Sequence, residues 1–497
     1  MSILNKDILF LIFEELQNDS KSLFLCLMVN RLWCETAVPV LWRNPWSYHY
    51  TNYKRNKYLF IIIAHYLFDN IKEYITEQRI QLPSLLDKSL LFDYLSFCKS
   101  INVKIINSII SIGSSLAYNQ FLMQQEFYYY FFIKKSSELK YLDMRSIKHQ
   151  IFYFPESKVH LESICELRCD TSIDSSYFYG LSQICQYIQR FIIYNTKPQP
   201  NNGIAKLIEV QKNLKHFEWI NEFHDDYLKD PYVEIFLALE KKANSLNYLR
   251  VFIDYVNNIA HTLFQEILPK FYKLKILKID AYPFFTEEQL KKLKMQVYYD
   301  LEILNIEYNE LNVISSVIEN SGGHLKKILF SPYKTYDYGY PPNLKENSLN
   351  FIRKVYEYCP SIEYLSILFS PSEEHFTELE KLLKICQNIK SLLIVMKRIV
   401  GDKEYGKKLL EILIRSAPMN LKEIRIGKEF KFSLENLKKF LDRWRSRPAL
   451  SLFILTSDPI YIGEDFTRLI DKYKSDGVIK DFKYGSHTND IDYVFNI

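Results

Sequence analysis

An α/β solenoid, in which short parallel strands alternate with helices, is the fold class this sequence predicts, and three observations carry the prediction. The first is a pattern returning thirteen times between residues 136 and 485: an aliphatic residue, two variable ones, an apolar one, one variable, another apolar. It reads Leu139/Leu142/Met144, Ile164/Leu167/Cys169, Ile188/Phe191/Ile193, Leu214/Phe217/Trp219, Leu246/Leu249/Val251, Leu274/Leu277/Ile279 and Leu301/Leu304/Ile306. It continues as Leu325/Ile328/Phe330, Ile362/Leu365/Ile367, Ile389/Leu392/Ile394, Leu421/Ile424/Ile426, Leu450/Phe453/Leu455 and Ile479/Phe482/Tyr484. The second is the period, roughly 28 residues per step, which lies outside the periods of helix-pair repeats. The third is composition. Of 497 residues, 48% are hydrophobic while only 12 are Gly and 17 Pro, so little of the chain is left for low-complexity linkers and all of it should fold.

Each repeat segment is expected to be a parallel strand whose anchors turn inward while alternate side chains line the other face. Amphipathic helices fill the intervals. Thr286 and Gln289 have capping-box spacing, Asp230 stands before an N1 proline, Pro231, and Ser433 precedes the apolar stripe of residues 434–444. A helix ~10 Å wide beside strands ~4.8 Å apart forces the stack to curve. Residues 136–497 are therefore predicted to form a curved leucine-rich-repeat solenoid of about thirteen repeats, strands concave and helices convex.

Residues 1–47 have another texture. Leu4, Ile8, Leu11, Ile12 and Leu16 form a helical stripe that stops near Asn18 and Asp19. Ser20 or Ser22 can cap a second helix bearing Leu23, Leu27 and Val29, and a third should end near residues 38–42. Three such short helices cannot cover all of these side chains together with Trp33, Leu41 and Trp42. Some must face a partner, or the first repeat if the segment is a solenoid cap.

The stretches LNKDILFLIFEEL and SLFLCLMVNRLWCETAVPVLWRNPW resemble an F-box, and with the repeats behind them the chain resembles fungal F-box/leucine-rich-repeat proteins. The usual Leu-Pro opening is replaced by Leu4-Asn5. The resemblance implies that residues 1–47 dock on a Skp-type adaptor and, through it, a cullin, using Leu4, Ile8, Ile12, Leu16, Leu23, Val29, Arg31, Trp33, Pro39, Leu41 and Trp42. It implies a non-catalytic substrate receptor of a ubiquitin ligase; the alternative is a repeat-protein interaction scaffold with no role in ubiquitin transfer.

Residues 48–135 read as a helical spacer, with apolar runs at 58–68, 85–97 and 103–112 and a break at Gly113. The aromatic run 124–133 fills helical and strand periods alike.

Residues two, four and six after each first anchor should line the concave face. In the early repeats these include Tyr141, Asp143, Arg145, Glu166, Arg168, Asp170, Arg190, Tyr194, His216, Glu218, Tyr248 and Arg250. Charge mixed with Tyr and Arg is the composition of a recognition surface, so Asp143, Arg145, Glu166, Arg168, Arg190, Tyr194, Glu218, Tyr248 and Arg250 are the candidate substrate contacts. The later row is apolar, with Leu329, Leu368, Leu393, Val395, Leu452 and Ile454: a second binding patch, or a face covered by the chain's own tail.

A net charge of +5 with both signs interspersed argues against a nucleic-acid surface, and the basic stretch 438–447 reads as a solvated helix face. The N-terminus carries no secretory pattern, and the apolar run 59–68 is too short to span a bilayer, so an intracellular chain is expected. Cys165, Cys169, His160 and Glu162 do not read as a metal site, because Cys169 is an inward anchor and no second Cys/His pair follows at zinc-site spacing. No phosphate loop, nucleophile elbow or HExxH motif is present. Neither metal, cofactor nor catalytic residue is expected.

Overall fold

The computed structural model describes residues 5–48, 53–67, 89–134, 138–197, 199–222, 232–253, 262–281, 287–307, 311–330, 343–370, 372–396, 403–427, 430–455 and 463–485. The chain divides into two units, Met1–Lys242 and Ala243–Ile497. Leu4, Asp230, Pro231 and Thr286 of the sequence reading lie outside the described residues.

In the first unit, a side-chain oxygen starts each of the first three helices. The Asn5 side chain accepts from the Asp7 amide ahead of α1 (Lys6–Glu15), Asp19 accepts from the Ser22 amide ahead of α2 (Ser20–Cys26), and Asn30 accepts from the Trp33 amide ahead of α3 (Arg31–Leu41). The cap of α2 is thus Asp19 and not Ser20 or Ser22. A carboxylate is the stronger acceptor at the positive end of a helix, and here it also takes the Ser22 hydroxyl at 2.6 Å. Leu9, Phe13, Leu23, Cys26, Ala37, Val40 and Leu41 form the core of this bundle, with Trp33 edge-on to Phe13 at 5.4 Å.

After α4 (Tyr53–Ala64) and α5 (Tyr94–Phe97), the sheet begins earlier than the repeat pattern suggests. Strand β1 (Ser100–Asn102) lies within the expected helical spacer and pairs in parallel with β2 (Tyr141–Asp143), Ile101 opposite Leu142. Cys98, Ile101 and Val103 have the anchor spacing and are all buried. The repeat escaped notice because its first anchor is a cysteine. Helices α6 (Val103–Ile110) and α7 (Ala117–Lys134) follow, and α7 resolves the ambiguous aromatic run as a helix burying Phe127, Tyr128, Phe131 and Phe132.

Strands β3 (Glu166–Asp170), β4 (Arg190–Asn195) and β5 (His216–Asn221) continue in sequence order, separated by α8 (Ser157–Glu162), α9 (Ser175–Ser182) and α10 (Asn202–Val210), and α11 (Val233–Glu240) follows β5. Leu142, Leu167, Phe191 and Phe217 stand in register, as do Cys169, Ile193 and Trp219. Buried amides join the coils: Asn195 accepts from the Thr171 hydroxyl and donates to Asn221 at 2.8 Å. The Gln211 amide donates to the Cys185 and Leu207 carbonyls and accepts from the Ile188 N–H. Such groups must be paired when desolvated, so they fix the spacing of neighbouring repeats.

The second unit contains nine parallel strands among its described residues, each bonded to the next in sequence: β6 (Tyr248–Ile253), β7 (Ile276–Ala281), β8 (Ile303–Glu307), β9 (Lys327–Leu329), β10 (Tyr364–Phe369), β11 (Ser391–Met396), β12 (Glu423–Ile426), β13 (Leu450–Leu455) and β14 (Ile479–Gly485). Helices α12 (Thr262–Ile267), α13 (Glu287–Met295), α14 (Leu311–Glu319), α15 (Leu344–Tyr358), α16 (Glu373–Ile385), α17 (Lys403–Ser416), α18 (Leu434–Trp444) and α19 (Glu464–Ser475) alternate with them. Ser433 caps α18 as expected, accepting from the Asn436 amide.

One register differs from the sequence reading. Ile424 faces Leu452 and Ile426 faces Ile454, so these two residues point into the core and Phe453 emerges beside Arg425. Leu450, Leu452, Phe453, Ile454 and Leu455 are all apolar, so period-two alternation could not choose between faces. The irregularity in the pairing with β14, between Leu450 and Ser451, sits where the slip was made.

Candidate functional site

Two surfaces of the first unit carry the candidate contacts. On the N-terminal bundle, Ile8, Leu11 and Ile12 of α1 are exposed together with Phe24, Leu25, Met28 and Val29 of α2 and the turn after it, from 43% for Ile12 to 85% for Met28. Helical phase is the cause. Leu9, Phe13, Leu23 and Cys26 point into the bundle, which turns the remaining apolar positions to solvent. Exposed apolar side chains in this number on so small a bundle make it a candidate interaction site.

Of the residues expected at an adaptor interface, Ile8, Ile12 and Val29 lie on this surface, and Arg31 is exposed with its Nε 2.7 Å from Glu35. Leu16, Trp33, Pro39 and Trp42 are half-buried. Leu23 and Leu41 belong instead to the bundle's core, 0% and 3% exposed, so they shape the surface without reaching it. The sequence reading did not name Leu11, Phe24, Leu25 and Met28 as contacts. Leu11 already stands on the helical stripe of α1, and for Phe24, Leu25 and Met28 the signal lies in the phase of α2 relative to its Asp19 cap. Beside this surface, Phe24, Leu27, Cys34, Val38, Trp42 and Tyr94 help line an apolar pocket of about 480 Å³.

The second surface is the helix-free face of β2 to β5, where every candidate charge is paired. Asp143, fully buried, accepts from Arg145 Nε at 2.9 Å and Nη2 at 2.6 Å, and from the Asn102 amide at 3.3 Å. Arg145 stacks 4.2 Å from the centre of the Tyr194 ring. Glu166 accepts from Arg168 Nε and Nη2, and Arg190 bridges Glu166 at 3.8 Å and Glu218 at 3.1 Å. Glu218 also lies 2.6 Å from His216 Nε2. Burial pushes the Glu218 carboxyl up, but His216 and Arg190 outweigh it and hold it at about 2. Burial pushes His216 down, towards the neutral form. Asp170 accepts from the Ser146 and Ser172 amides.

Beneath this ladder opens a pocket of about 580 Å³, walled by Asn44, Trp46, Ser47, Asn102, Lys104, Ile105, Tyr141 and the pairs Asp143–Arg145 and Glu166–Arg168. The sequence reading reached the charges. It could not reach Asn44, Trp46 and Lys104, which come from segments assigned elsewhere. The remaining candidates, Tyr248 and Arg250, are half-buried on β6 of the second unit.

In the second unit the later apolar row, expected to be a second binding patch or a face covered by the chain's own tail, is buried; the tail from residue 486 lies outside the described residues. Leu329, Leu393, Val395 and Phe453 form a cluster 0–8% exposed, with Tyr364 and Leu368 against it. Leu452 and Ile454 lie on the other side of the sheet. Lys327 sits 4.7 Å from the Tyr364 ring centre and Arg425 4.9 Å from that of Phe453, capping the row with cations. Cys169 is fully buried among the inward anchors, and His160 Nε2 lies 3.1 Å from the Phe132 carbonyl.

Repeated strand–helix units with inward anchors at fixed spacing define the class: an α/β solenoid of the leucine-rich-repeat type. No protein-family model matches the chain, and no curated protein matches it. Among solved structures it is similar to a chain of the Rad7 and Elc1 complex of yeast, at 13% identity and a TM-score of 0.36, covering 64% of this chain and 68% of that one. It is also similar to a Bacteroides fragilis protein at 14% identity and a TM-score of 0.28, covering 54% of this chain and 65% of that one.

Proposed function

We propose that this chain is a non-catalytic, intracellular substrate receptor of a Skp–cullin–F-box ubiquitin ligase. In this reading residues 1–47 are an F-box that docks on a Skp-type adaptor, and the repeats hold a protein substrate on their helix-free face. The observation that carries it is the exposed apolar surface of α1 and α2, seven side chains on a bundle whose core is already filled. The receptor does no chemistry. It raises the effective concentration of a substrate lysine near a conjugating enzyme bound elsewhere in the assembly.

The test is a paired pull-down of the full chain and of the double variant Ile8→Ala, Ile12→Ala, probed for adaptor, cullin and substrate. Each central apolar anchor removed from such an interface costs about 2 kcal/mol or more, so adaptor recovery should fall by at least ~30-fold. Both side chains are exposed, so the melting temperature should hold. An adaptor that never binds the wild type returns the bundle to the role of a solenoid cap. An adaptor recovered without a cullin leaves an interaction scaffold.

A further inference from the structure

We propose that the pocket walled by Trp46, Lys104, Tyr141, Arg145 and Arg168 binds an oxyanion, a carboxylate or a phosphate, carried by a peptide. This deepens the receptor reading by naming the ligand class of its face, and it rests on that reading for the peptide being a substrate.

The argument is a count of hydrogen-bonding capacity. The carboxylates in the pocket are largely engaged: both oxygens of Asp143 are bonded to Arg145, and Asn102 adds a third side-chain donor. Glu166 Oε1 takes two bonds from Arg168, and its Oε2 faces Arg190. Asn44 Oδ1 accepts from the Ser100 hydroxyl. Donors are left over. Nη1 of Arg145 and of Arg168, the Asn44 amide nitrogen, the Tyr141 hydroxyl and the Lys104 amine have no partner among the described residues. A wall with more spare donors than spare acceptors suits a ligand that only accepts, which is what an ionised carboxylate or phosphate does.

Charge agrees with the count. The lining holds three cations, Lys104, Arg145 and Arg168, against two carboxylates, Asp143 and Glu166, so one positive charge remains for an anion to offset. The guanidiniums are also ordered in advance. Arg145 is clamped between Asp143 and the Tyr194 ring, and Arg168 between Glu166 and the Tyr141 ring at 5.3 Å. Rotamer entropy that a flexible site would lose on binding is already spent, and a planar fork is the geometry that oxyanions fit. A cationic ligand would find both carboxylates already facing guanidiniums. At about 580 Å³ the pocket also has room for the residues flanking the anion.

The experiment uses the full chain, immobilised, with four pools of degenerate peptides. Three have amidated C-termini and are centred on phosphoserine, glutamate or serine; the fourth is the serine pool with a free C-terminal carboxylate. At least one anionic pool should be retained ten-fold or more above the amidated serine pool and be displaced by millimolar inorganic phosphate, and the pool retained identifies the source of the oxyanion. Lys104→Glu, at an exposed side chain, and the paired change Glu166→Gln with Arg168→Gln should each lower that retention at least five-fold without moving the melting temperature. Equal retention of all four pools, or wild-type retention by Lys104→Glu, overturns the proposal. Adaptor capture is measured on the same samples. Anion selection without adaptor capture supports the pocket and removes the ligase reading, whereas adaptor capture without anion selection overturns the pocket alone.

Discussion

Asp143 shows how burial decides what a single charge is worth. It is fully buried and relies on Arg145, whereas Glu166 keeps 22% of its side chain in solvent beside Arg168. Breaking a buried pair strands a desolvated charge, while breaking a hydrated one costs little. Arg145→Ala should therefore lower unfolding stability by about 2–4 kcal/mol and Arg168→Ala by less than about 1 kcal/mol, read by denaturant titration of each variant. Comparable losses at the two sites would contradict this ranking. The buried histidines make a second residue-scale prediction. His375, held between the Ser348 hydroxyl at 2.8 Å and the Ser372 hydroxyl at 2.9 Å, and His149 beside Gln124 are each pushed by burial from 6.5 down to about 4. Their folded values are depressed, so between those limits the unfolded chain binds more protons than the folded one. The stability they contribute is complete above about pH 6.5 and is lost as pH falls towards 4, on the order of 1–3 kcal/mol for each. Denaturation at pH 7 and pH 5 should show a smaller acid loss for His375→Gln than for the wild type.

Elements in this fold meet at distances set by small residues as much as by the leucine anchors. A Cβ on Gly203, in the first turn of α10, would lie 2.2 Å from the Ser175 carbonyl oxygen at the start of α9. Backbone cannot yield as a side-chain tip can. Gly203→Ala should thus destabilise by about 1–3 kcal/mol, although alanine is the better helix former, and thermal melts of this single variant check it. A neutral or stabilising change would mean that the two helices can separate without loss. Element starts follow the same local logic: Asn5, Asp19, Asn30 and Ser433 each place an oxygen where a helix leaves an N–H unsatisfied. Only Ser433 was chosen correctly from sequence, since Asp19, Ser20 and Ser22 are all capable caps and three-dimensional entry geometry selects among them.

At the scale of the whole molecule, each repeat within a unit covers its neighbour, so a unit cannot be cut between repeats without exposing a core. A fragment starting at residue 136 loses β1 and its anchors Cys98, Ile101 and Val103, uncovering the edge of β2 and the anchors beneath it. It should melt lower than the full chain and aggregate on size-exclusion chromatography, because an unpaired parallel edge is a template for association. A monomeric fragment with the full chain's melting temperature would show β1 to be dispensable. Tests of the proposed receptor role therefore call for the full chain with its α1 surface altered, not for the repeats alone.

The repeat pattern was sufficient to specify the solenoid because inward anchors must be apolar at fixed spacing, and that constraint is written in single residues such as Leu277 and Leu304, both fully buried. It likewise placed Asp143, Glu166, Arg168 and Glu218 on one face, since a strand's alternation needs no long-range information. Other features were decided only by tertiary structure. A cysteine at an anchor hid β1, a run of apolar residues hid the register of β13, and the pocket's walls at Asn44, Trp46 and Lys104 come from segments that meet β2 and β3 only once folded. Leu23 and Leu41 fall in the same category. Sequence marks both as apolar, but whether an apolar side chain fills a core or faces a partner depends on how three short helices close on one another.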